Sequence, residues 1–131
     1  MHPDYRILTF NVCFAIELSN VNLAVLLQIF VNEICHLKMR KRNEYDGKTW
    51  AKISIEDLCE MAPYLSKKQV TSLLNKLIRL GILIRNVYDT NVNPVPWHAF
   101  CQEEKFFGTG GKKNIPIHEK NDLFKSANSV Q

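Results

Sequence analysis

The sequence predicts a mainly helical α+β fold, and three patterns carry this prediction. Apolar residues recur at spacings of three and four over residues 22–40, which is the periodicity of a long helix. Two shorter helical patterns, residues 55–62 and 67–80, follow with only a short turn between them. Beyond them, residues 82–88 and 95–100 are apolar without helical periodicity, which predicts two strands.

Length, composition and charge limit the possible classes of protein. The chain has 131 residues, which suits one domain with a tail, and its hydrophobic content of 46% excludes wholesale disorder. The formal net charge of +4 permits nucleic-acid binding without requiring it. No apolar run approaches the roughly 20 residues of a membrane helix, and the N-terminal residues lack a signal-peptide pattern. We therefore expect a cytoplasmic protein without a membrane partner.

The sequence offers no recognisable catalytic or metal-binding set. Its four cysteines form no CxxC pair and match no zinc spacing, so we expect reduced thiols that behave as small apolar side chains. A metal site that joins Cys35 and His36 with His98 and Cys101 is the weaker alternative, because good sites have denser ligand spacing. Without a nucleophile–base pair or a phosphate loop, we expect no enzyme activity, no cofactor and no small-molecule ligand.

The N-terminal part is predicted to form an extended arm and two helices. Residues 5–10 alternate weakly, which is typical of a short extended segment. Asn11 is a suitable N-cap for a short helix over residues 12–18. A long helix then begins at Asn22 and ends at Arg40, and its apolar stripe is wide enough to be buried on more than one side.

The width of that stripe and the cations at the end of the helix each have two explanations. A central scaffold helix explains the stripe, and so does a homodimer that pairs this helix with a second copy. The cluster Lys38-Met39-Arg40-Lys41-Arg42 is either a complement to the helix dipole or a set of phosphate contacts. The sequence leaves both questions open.

A loop and a short strand are predicted next. Residues 43–48 contain Asp-Gly, which is a turn signal. Residues 49–53 can form a strand with Trp50 and Lys52 on one face, because successive side chains of a strand alternate between its two sides.

A short helix is predicted over residues 55–62. Ser54 and Asp57 have the spacing of a capping box, in which each side chain bonds the backbone of the other residue. Leu58 and Met61 are expected to face the core, since they lie three positions apart.

The sequence contains signals for both the start and the end of the helix that follows. Ser66 and Gln69 have capping-box spacing, and Gly81 stands where a helix favours a left-handed residue. The apolar face carries Val70, Leu73, Leu74 and Leu77. The opposite face carries Lys68, Ser72, Asn75 and Arg79, with Thr71 and Lys76 beside them. A DNA-reading helix needs such cations for phosphates and such short polar groups for base edges, although a solvated surface face is the alternative.

Two strands joined by a polar loop come last in the predicted domain. The strand at residues 49–53 can add a third strand to their sheet, and a helix-turn-helix followed by such a sheet is a winged helix. We expect a winged helix domain over residues 1–104, with its N-terminal arm. Residues 105–131 are expected to be a flexible tail or linker, because they contain glycines and lose the apolar periodicity.

Taken together, these motifs resemble a known family. The segments that carry the resemblance are residues 46–50 (DGKTW), 54–58 (SIEDL), 63–70 (PYLSKKQV) and 77–83 (LIRLGIL). They are similar to the winged helix domains of phage and plasmid replication proteins, including replisome organisers and DnaD-type primosome proteins. Transcription regulators with a helix-turn-helix share similar motifs.

The resemblance implies sequence-specific or structure-specific binding of double-stranded DNA, in replication initiation or transcription control of a phage or other mobile element. The helix that begins at Ser66 would read the DNA, and the wing at residues 89–93 would lie near the backbone. The expected DNA-binding residues are Ser66, Lys67, Lys68, Gln69, Thr71, Ser72, Asn75, Lys76, Arg79 and Arg85. A winged helix that serves only for protein–protein contact or dimerisation is the alternative.

Overall fold

A computed structural model describes residues 7–88 and 95–107, which contain five helices and five short strands. The helices are α1 (Val12–Leu18), α2 (Val21–Met39), α3 (Ile55–Met61), α4 (Lys67–Arg79) and α5 (Glu104–Phe107). The strands are β1 (Glu44–Tyr45), β2 (Lys48–Thr49), β3 (Ala51–Lys52), β4 (Leu83–Asn86) and β5 (Trp97–Phe100). The predicted α+β class with mainly helical content is confirmed. Of the predicted arm, residues 7–10 have no regular secondary structure, and residues 5 and 6 lie outside the described residues.

Helix α2 forms the centre of the core. Its N-cap is Asn20, whose side-chain oxygen accepts a hydrogen bond from the backbone N–H of Leu23 at 2.9 Å. The side chains of α2 that are completely buried are Leu23, Ala24, Leu26, Leu27, Phe30 and Ile34. Because the chain itself covers this stripe, the scaffold role accounts for its width. The homodimer through this helix stays a prediction.

Helix α2 is also the one described helix whose length and composition would allow it to cross a membrane. This finding corrects the sequence-based statement that no apolar run approaches that length. Nearly half of the apolar stretch is buried inside the protein. Length and composition alone do not distinguish such a helix from the core helix of a soluble protein.

Helices α3 and α4 begin with matching capping boxes. Ser54 Oγ accepts a hydrogen bond from the N–H of Asp57 at 3.0 Å, and Asp57 Oδ2 accepts one from the N–H of Ser54 at 3.1 Å. Ser66 and Gln69 exchange the same two bonds at 3.1 and 2.8 Å. Both predicted caps are confirmed. The prediction that Met61 faces the core is wrong, because its side chain is 36% exposed and lines an open groove between α2 and α3.

Three strands form an antiparallel sheet in the order β3–β5–β4. Within it, His98 of β5 lies opposite Ala51 on one side and Arg85 on the other. The predicted pair of strands and the predicted third strand are therefore confirmed. The structure adds a hairpin of β1 and β2, a segment that sequence analysis treated as a loop. Asp46 and Gly47 form its two-residue turn with φ of 55° and 74°, a conformation that favours Asp-Gly.

Helix α5 belongs to the packed part of the molecule. Phe106 stacks on Phe100 with ring centroids 4.1 Å apart, and Phe107 contacts the same ring at 5.9 Å. Glu103, directly before α5, accepts a hydrogen bond from Lys38 Nζ at 2.6 Å. The packed domain thus extends to residue 107, beyond the predicted boundary at residue 104, because the two aromatic rings cover core surface. The rest of the predicted tail lies outside the described residues.

Candidate nucleic-acid interface

Helix α4 has one apolar and one polar side. Val70, Leu74 and Leu77 are buried against the core, whereas Leu73 is only half-buried. The predicted apolar face is therefore confirmed, with Leu73 at its edge. Helical spacing places the polar residues about half a turn away from this face, so they are open to solvent.

The polar side of α4 and strand β4 together line an open groove of about 760 Å³. The residues that line it are Lys68, Thr71, Ser72, Asn75, Ile78, Arg79 and Arg85. All of these except Ile78 are among the predicted DNA-binding residues. Three of them are cations, and no carboxylate in the described part of the chain lines this surface. It is named the cationic groove below.

Four predicted residues do not line the cationic groove. Ser66 and Gln69 use their side chains in the capping box. Lys67 forms an exposed ion pair with Glu56 of α3, with 3.1 Å between Nζ and Oε2. Lys76 is exposed on α4 but lies outside the groove. Ser66 and Gln69 therefore stabilise the start of α4, and Lys67 links α4 to α3.

A smaller, mostly apolar cavity of about 280 Å³ lies beside the cationic groove. It is lined by Asn22, Lys68, Gln69, Ser72 and Leu73. Lys68 and Ser72 line both cavities, and Asn22 brings the first turn of α2 to the smaller one. Tyr64 Oη donates a hydrogen bond to Asn22 Oδ1 at 2.9 Å. Sequence analysis missed Asn22 at this surface because it is distant from α4 along the chain.

Strand β4 brings Arg85 to the cationic groove, and two hydrogen bonds hold its guanidinium group. Arg85 Nε donates to His98 Nε2 at 3.2 Å, and Arg85 Nη2 donates to Asn75 Oδ1 at 3.3 Å. His98 is 1% exposed. Burial and the nearby charge of Arg85 lower the pKa of His98 to about 4, so its imidazole is neutral near pH 7 and can accept the bond. Local sequence does not indicate this contact, because it is strand pairing that brings Arg85 and His98 together.

The wing expected at residues 89–93 lies outside the described residues, but the end of β4 that leads to it is described. Tyr88 stacks on Tyr45 of the hairpin with ring centroids 4.7 Å apart. Tyr88 Oη donates a hydrogen bond to Asp46 Oδ2 at 2.6 Å. The ring of Trp97 meets both tyrosines edge-on. The β1–β2 hairpin therefore braces the strand that carries Arg85.

The cations at the end of α2 lie outside the cationic groove. Lys38 pairs with Glu103, and this contact ties α2 to the segment before α5. Arg40, Lys41 and Arg42 are exposed, and none of them lines the groove. For Lys38 the structure shows an internal ion pair, while the choice between a complement to the helix dipole and a phosphate contact stays open for the other three.

A second groove of the same size, about 760 Å³, has the opposite charge. It lies between α2 and α3 and is lined by Leu8, Ile29, Asn32, Glu33, His36, Asp57, Glu60 and Met61. Its three carboxylates make it unfavourable for a polyanion. Within residues 7–88 and 95–107, no three His, Cys, Asp or Glu side chains are arranged so that they could hold a metal ion.

No protein-family model, no curated protein and no solved structure matches this chain. The geometry and the charge of the cationic groove are therefore the observations that bear on function.

Proposed function

We propose that this chain is a winged helix protein that binds double-stranded DNA through the cationic groove. In this proposal α3 and α4 form the helix-turn-helix, α4 is the recognition helix, and β4 and β5 are the strands of the wing. The observation that carries the proposal is the grouping of Lys68, Arg79 and Arg85 around short polar side chains, with no carboxylate among the described residues of the lining. A surface of one charge sign attracts a polyanion and steers its approach.

The spacing of the polar residues on α4 suits the major groove of DNA, which admits one α-helix. Lys68 and Arg79 lie on one side of α4 and are separated by about 16 Å along its axis, from a rise of 1.5 Å per residue. They can reach phosphates near the two ends of the contact. Ser72 and Asn75 lie between them, where short side chains can reach base edges.

The resemblance to phage and plasmid replication proteins supports replication initiation or transcription control of a mobile element as the biological role. Both roles need a duplex-binding helix, so the cationic groove serves either one. The choice between them depends on the DNA sequence bound.

A protein–protein interaction module is the second candidate, and the outer face of α1 favours it. Val12 and Ile16 lie one turn apart on α1 and are 63% and 66% exposed. Val21, at the start of α2, is exposed as well. Grouped apolar side chains on a surface are typical of a contact with another protein. A second copy of this chain would then bind through α1, since the stripe of α2 is buried.

The test is the salt dependence of duplex binding by two matched double variants. Replacing Lys68 and Arg79 with Ala removes two cations of the groove, and replacing Arg40 and Arg42 with Ala removes the same charge at the end of α2. Each phosphate contact contributes about 0.9 to the slope of log K against log salt concentration, so the groove variant should lose about 1.8. The control should keep the wild-type slope. Both variants should keep the wild-type thermal midpoint, because all four side chains are exposed.

Three other results would overturn the proposal in different ways. A groove variant with the wild-type slope would exclude a DNA contact by α4. Loss of slope in the control variant alone would move the DNA to the end of α2. If the wild-type protein binds no duplex and forms a dimer that Ile16→Ser dissociates, the second candidate is correct.

A further inference from the structure

The hydrogen bond between Arg85 and Asn75 determines which atoms Asn75 offers to a partner. A guanidinium group has five N–H donors and no acceptor, so the atom of Asn75 that faces Arg85 must be the amide oxygen. The distance from Arg85 Nη2 to Asn75 Oδ1 is 3.3 Å. The remaining polar atom of this side chain is Nδ2, which carries two donors. With one lone pair of its oxygen engaged by Arg85, Asn75 presents mainly donors to the cationic groove.

His98 supports this arrangement from the interior. Its Nε2 accepts the hydrogen bond from Arg85 Nε at 3.2 Å, so the proton of the neutral ring is on Nδ1. Nδ1 is buried, and no residue in the described part of the chain accepts its hydrogen bond. A buried donor without a partner destabilises a fold, and an apolar side chain would avoid that cost. What the imidazole provides at this position is an acceptor for Arg85.

The other groups at the centre of the groove are also mainly donors. Lys68 and Arg79 have donors only. The hydroxyl of Thr71 donates to the backbone oxygen of Lys67 at 2.9 Å, and Ser72 is the one hydroxyl of the groove for which the structure shows no hydrogen bond within the described residues. The side of the groove next to Arg85 therefore offers donors from two adjacent side chains, Arg85 and Asn75.

We propose that Arg85 and Asn75, held by His98, act as one donor unit that binds an acceptor-only edge of DNA: O6 and N7 of guanine, or phosphate oxygens. Adenine fits this unit less well, because its N6 amino group would have to share the amide oxygen of Asn75 with Arg85. His98 is a positioning residue in this proposal, since it touches Arg85 and not the DNA. The proposal rests on the proposed DNA binding and names the chemistry of its contact.

The first experiment compares His98→Phe with His98→Gln. Phe keeps a ring beside Phe30, which packs edge-on against His98 at 5.5 Å, but it removes the acceptor. Gln places an amide oxygen near the position of Nε2 and should restore the bond. We expect His98→Phe to lower affinity for a random duplex roughly 2- to 10-fold, as expected for one lost hydrogen bond. His98→Gln should regain most of that loss.

A spectroscopic signature accompanies this comparison and does not depend on DNA. The Nε–H resonance of Arg85 should exchange slowly with water in the wild type and in His98→Gln, and rapidly in His98→Phe. Rapid exchange in the wild type would overturn the unit, whatever the DNA affinity. If His98→Phe does not fold, Arg85→Lys is the second variant. It keeps the exposed charge but cannot bridge His98 and Asn75, so affinity should fall while the salt slope stays.

The second experiment selects bound sequences from a random duplex library, with the wild type and with Arg85→Lys in parallel. If the wild type enriches guanine at one position and Arg85→Lys shows no base preference there, the unit binds the guanine edge. If the wild type shows no base preference at any such position and Arg85→Lys binds all sequences more weakly, the unit binds phosphate oxygens. Enrichment of adenine that depends on Asn75 would overturn the proposal. Duplex binding that depends on Lys68 and Arg79 but ignores both His98 and Arg85 variants would refute this unit and leave the proposed function standing.

Discussion

Helices α2 and α4 differ in how much of their surface the core uses. Residues 23–27 of α2 are all buried, so the protein surrounds that helix on more than one side. Helix α4 is buried at Val70, Leu74 and Leu77, which form a single stripe. Helix α2 is thus the scaffold of the core, and α4 offers a surface that a partner can contact. The core leaves little of α2 for a partner, whereas it leaves a whole polar side of α4 open.

The end of α4 follows directly from its sequence. The N–H of Ile82 donates to the backbone oxygen of Leu77 at 3.1 Å, and the N–H of Gly81 donates to that of Ile78 at 3.0 Å. This pair of bonds requires a left-handed residue, and Gly81 has φ of 77°. A glycine adopts this conformation without steric cost.

The end of α2 has the same two bonds without a glycine. The N–H of Arg42 donates to the backbone oxygen of Leu37 at 3.0 Å, and the N–H of Lys41 donates to that of Lys38 at 3.1 Å. Lys41 has φ of 53°, a conformation that is unfavourable for a residue with a Cβ atom. The tertiary contacts of α2 and of the following hairpin therefore impose an end that the local sequence disfavours.

The largest expected effect tests the burial on which this comparison depends. Leu77→Ala in α4 and Leu26→Ala in α2 should each lower the free energy of unfolding by about 2–5 kcal/mol, because both side chains are completely buried. Leu73→Ala should lower it less, since Leu73 is half-buried at the edge of the stripe. Urea denaturation of the three variants measures this order. An equal loss of unfolding free energy in Leu73→Ala and Leu77→Ala would show that Leu73 is fully buried and that the buried stripe of α4 is wider than described.

The next effect concerns His98, which lies between the two helices: it packs on Phe30 of α2 and contacts Asn75 of α4 through Arg85. Its pKa is about 4 in the folded protein, below its ordinary value of 6.5. The unfolded chain therefore binds a proton first as the pH falls, and stability is lost between the two values. Lowering the pH from about 7 to about 5 should reduce the free energy of unfolding by about 2 kcal/mol through this group.

Urea denaturation at the two pH values, with His98→Phe as the control, measures that effect. The control lacks the titrating group, so its stability should change less over the same interval. Equal pH dependence in both proteins would mean that His98 is accessible to protons in the folded state, and that the contact between β5 and β4 is looser than described.

The smallest effect compares the two helix ends directly. Lys41→Gly should stabilise the protein by about 1 kcal/mol, because it relieves a left-handed residue. Gly81→Ala should destabilise it by a similar amount. A Cβ atom at Gly81 would meet no other atom within 4 Å, so that cost comes from the backbone alone. Opposite shifts of the thermal midpoint are the expected result. A destabilising Lys41→Gly would show that the Lys41 side chain itself holds the end of α2.

Local sequence patterns identified helices α1 to α4 and most of their ends, but they did not identify α5. Apolar spacing identified α2 and α4, and the pairs Ser54 with Asp57 and Ser66 with Gln69 marked the starts of α3 and α4. It also identified six of the residues that line the cationic groove. These features depend on residues within about one helical turn of each other, so a linear sequence displays them.

Tertiary packing determines which polar groups meet and which side chains cover the core. Strand pairing places Arg85 beside His98, and the packing of the sheet against α4 places it beside Asn75, and no local pattern encodes either contact. The stacking of Phe106 on Phe100 likewise places the first residues of the predicted tail against the core. In both cases the partners lie on separate elements, and their distance is set by the packing of those elements rather than by spacing along the chain.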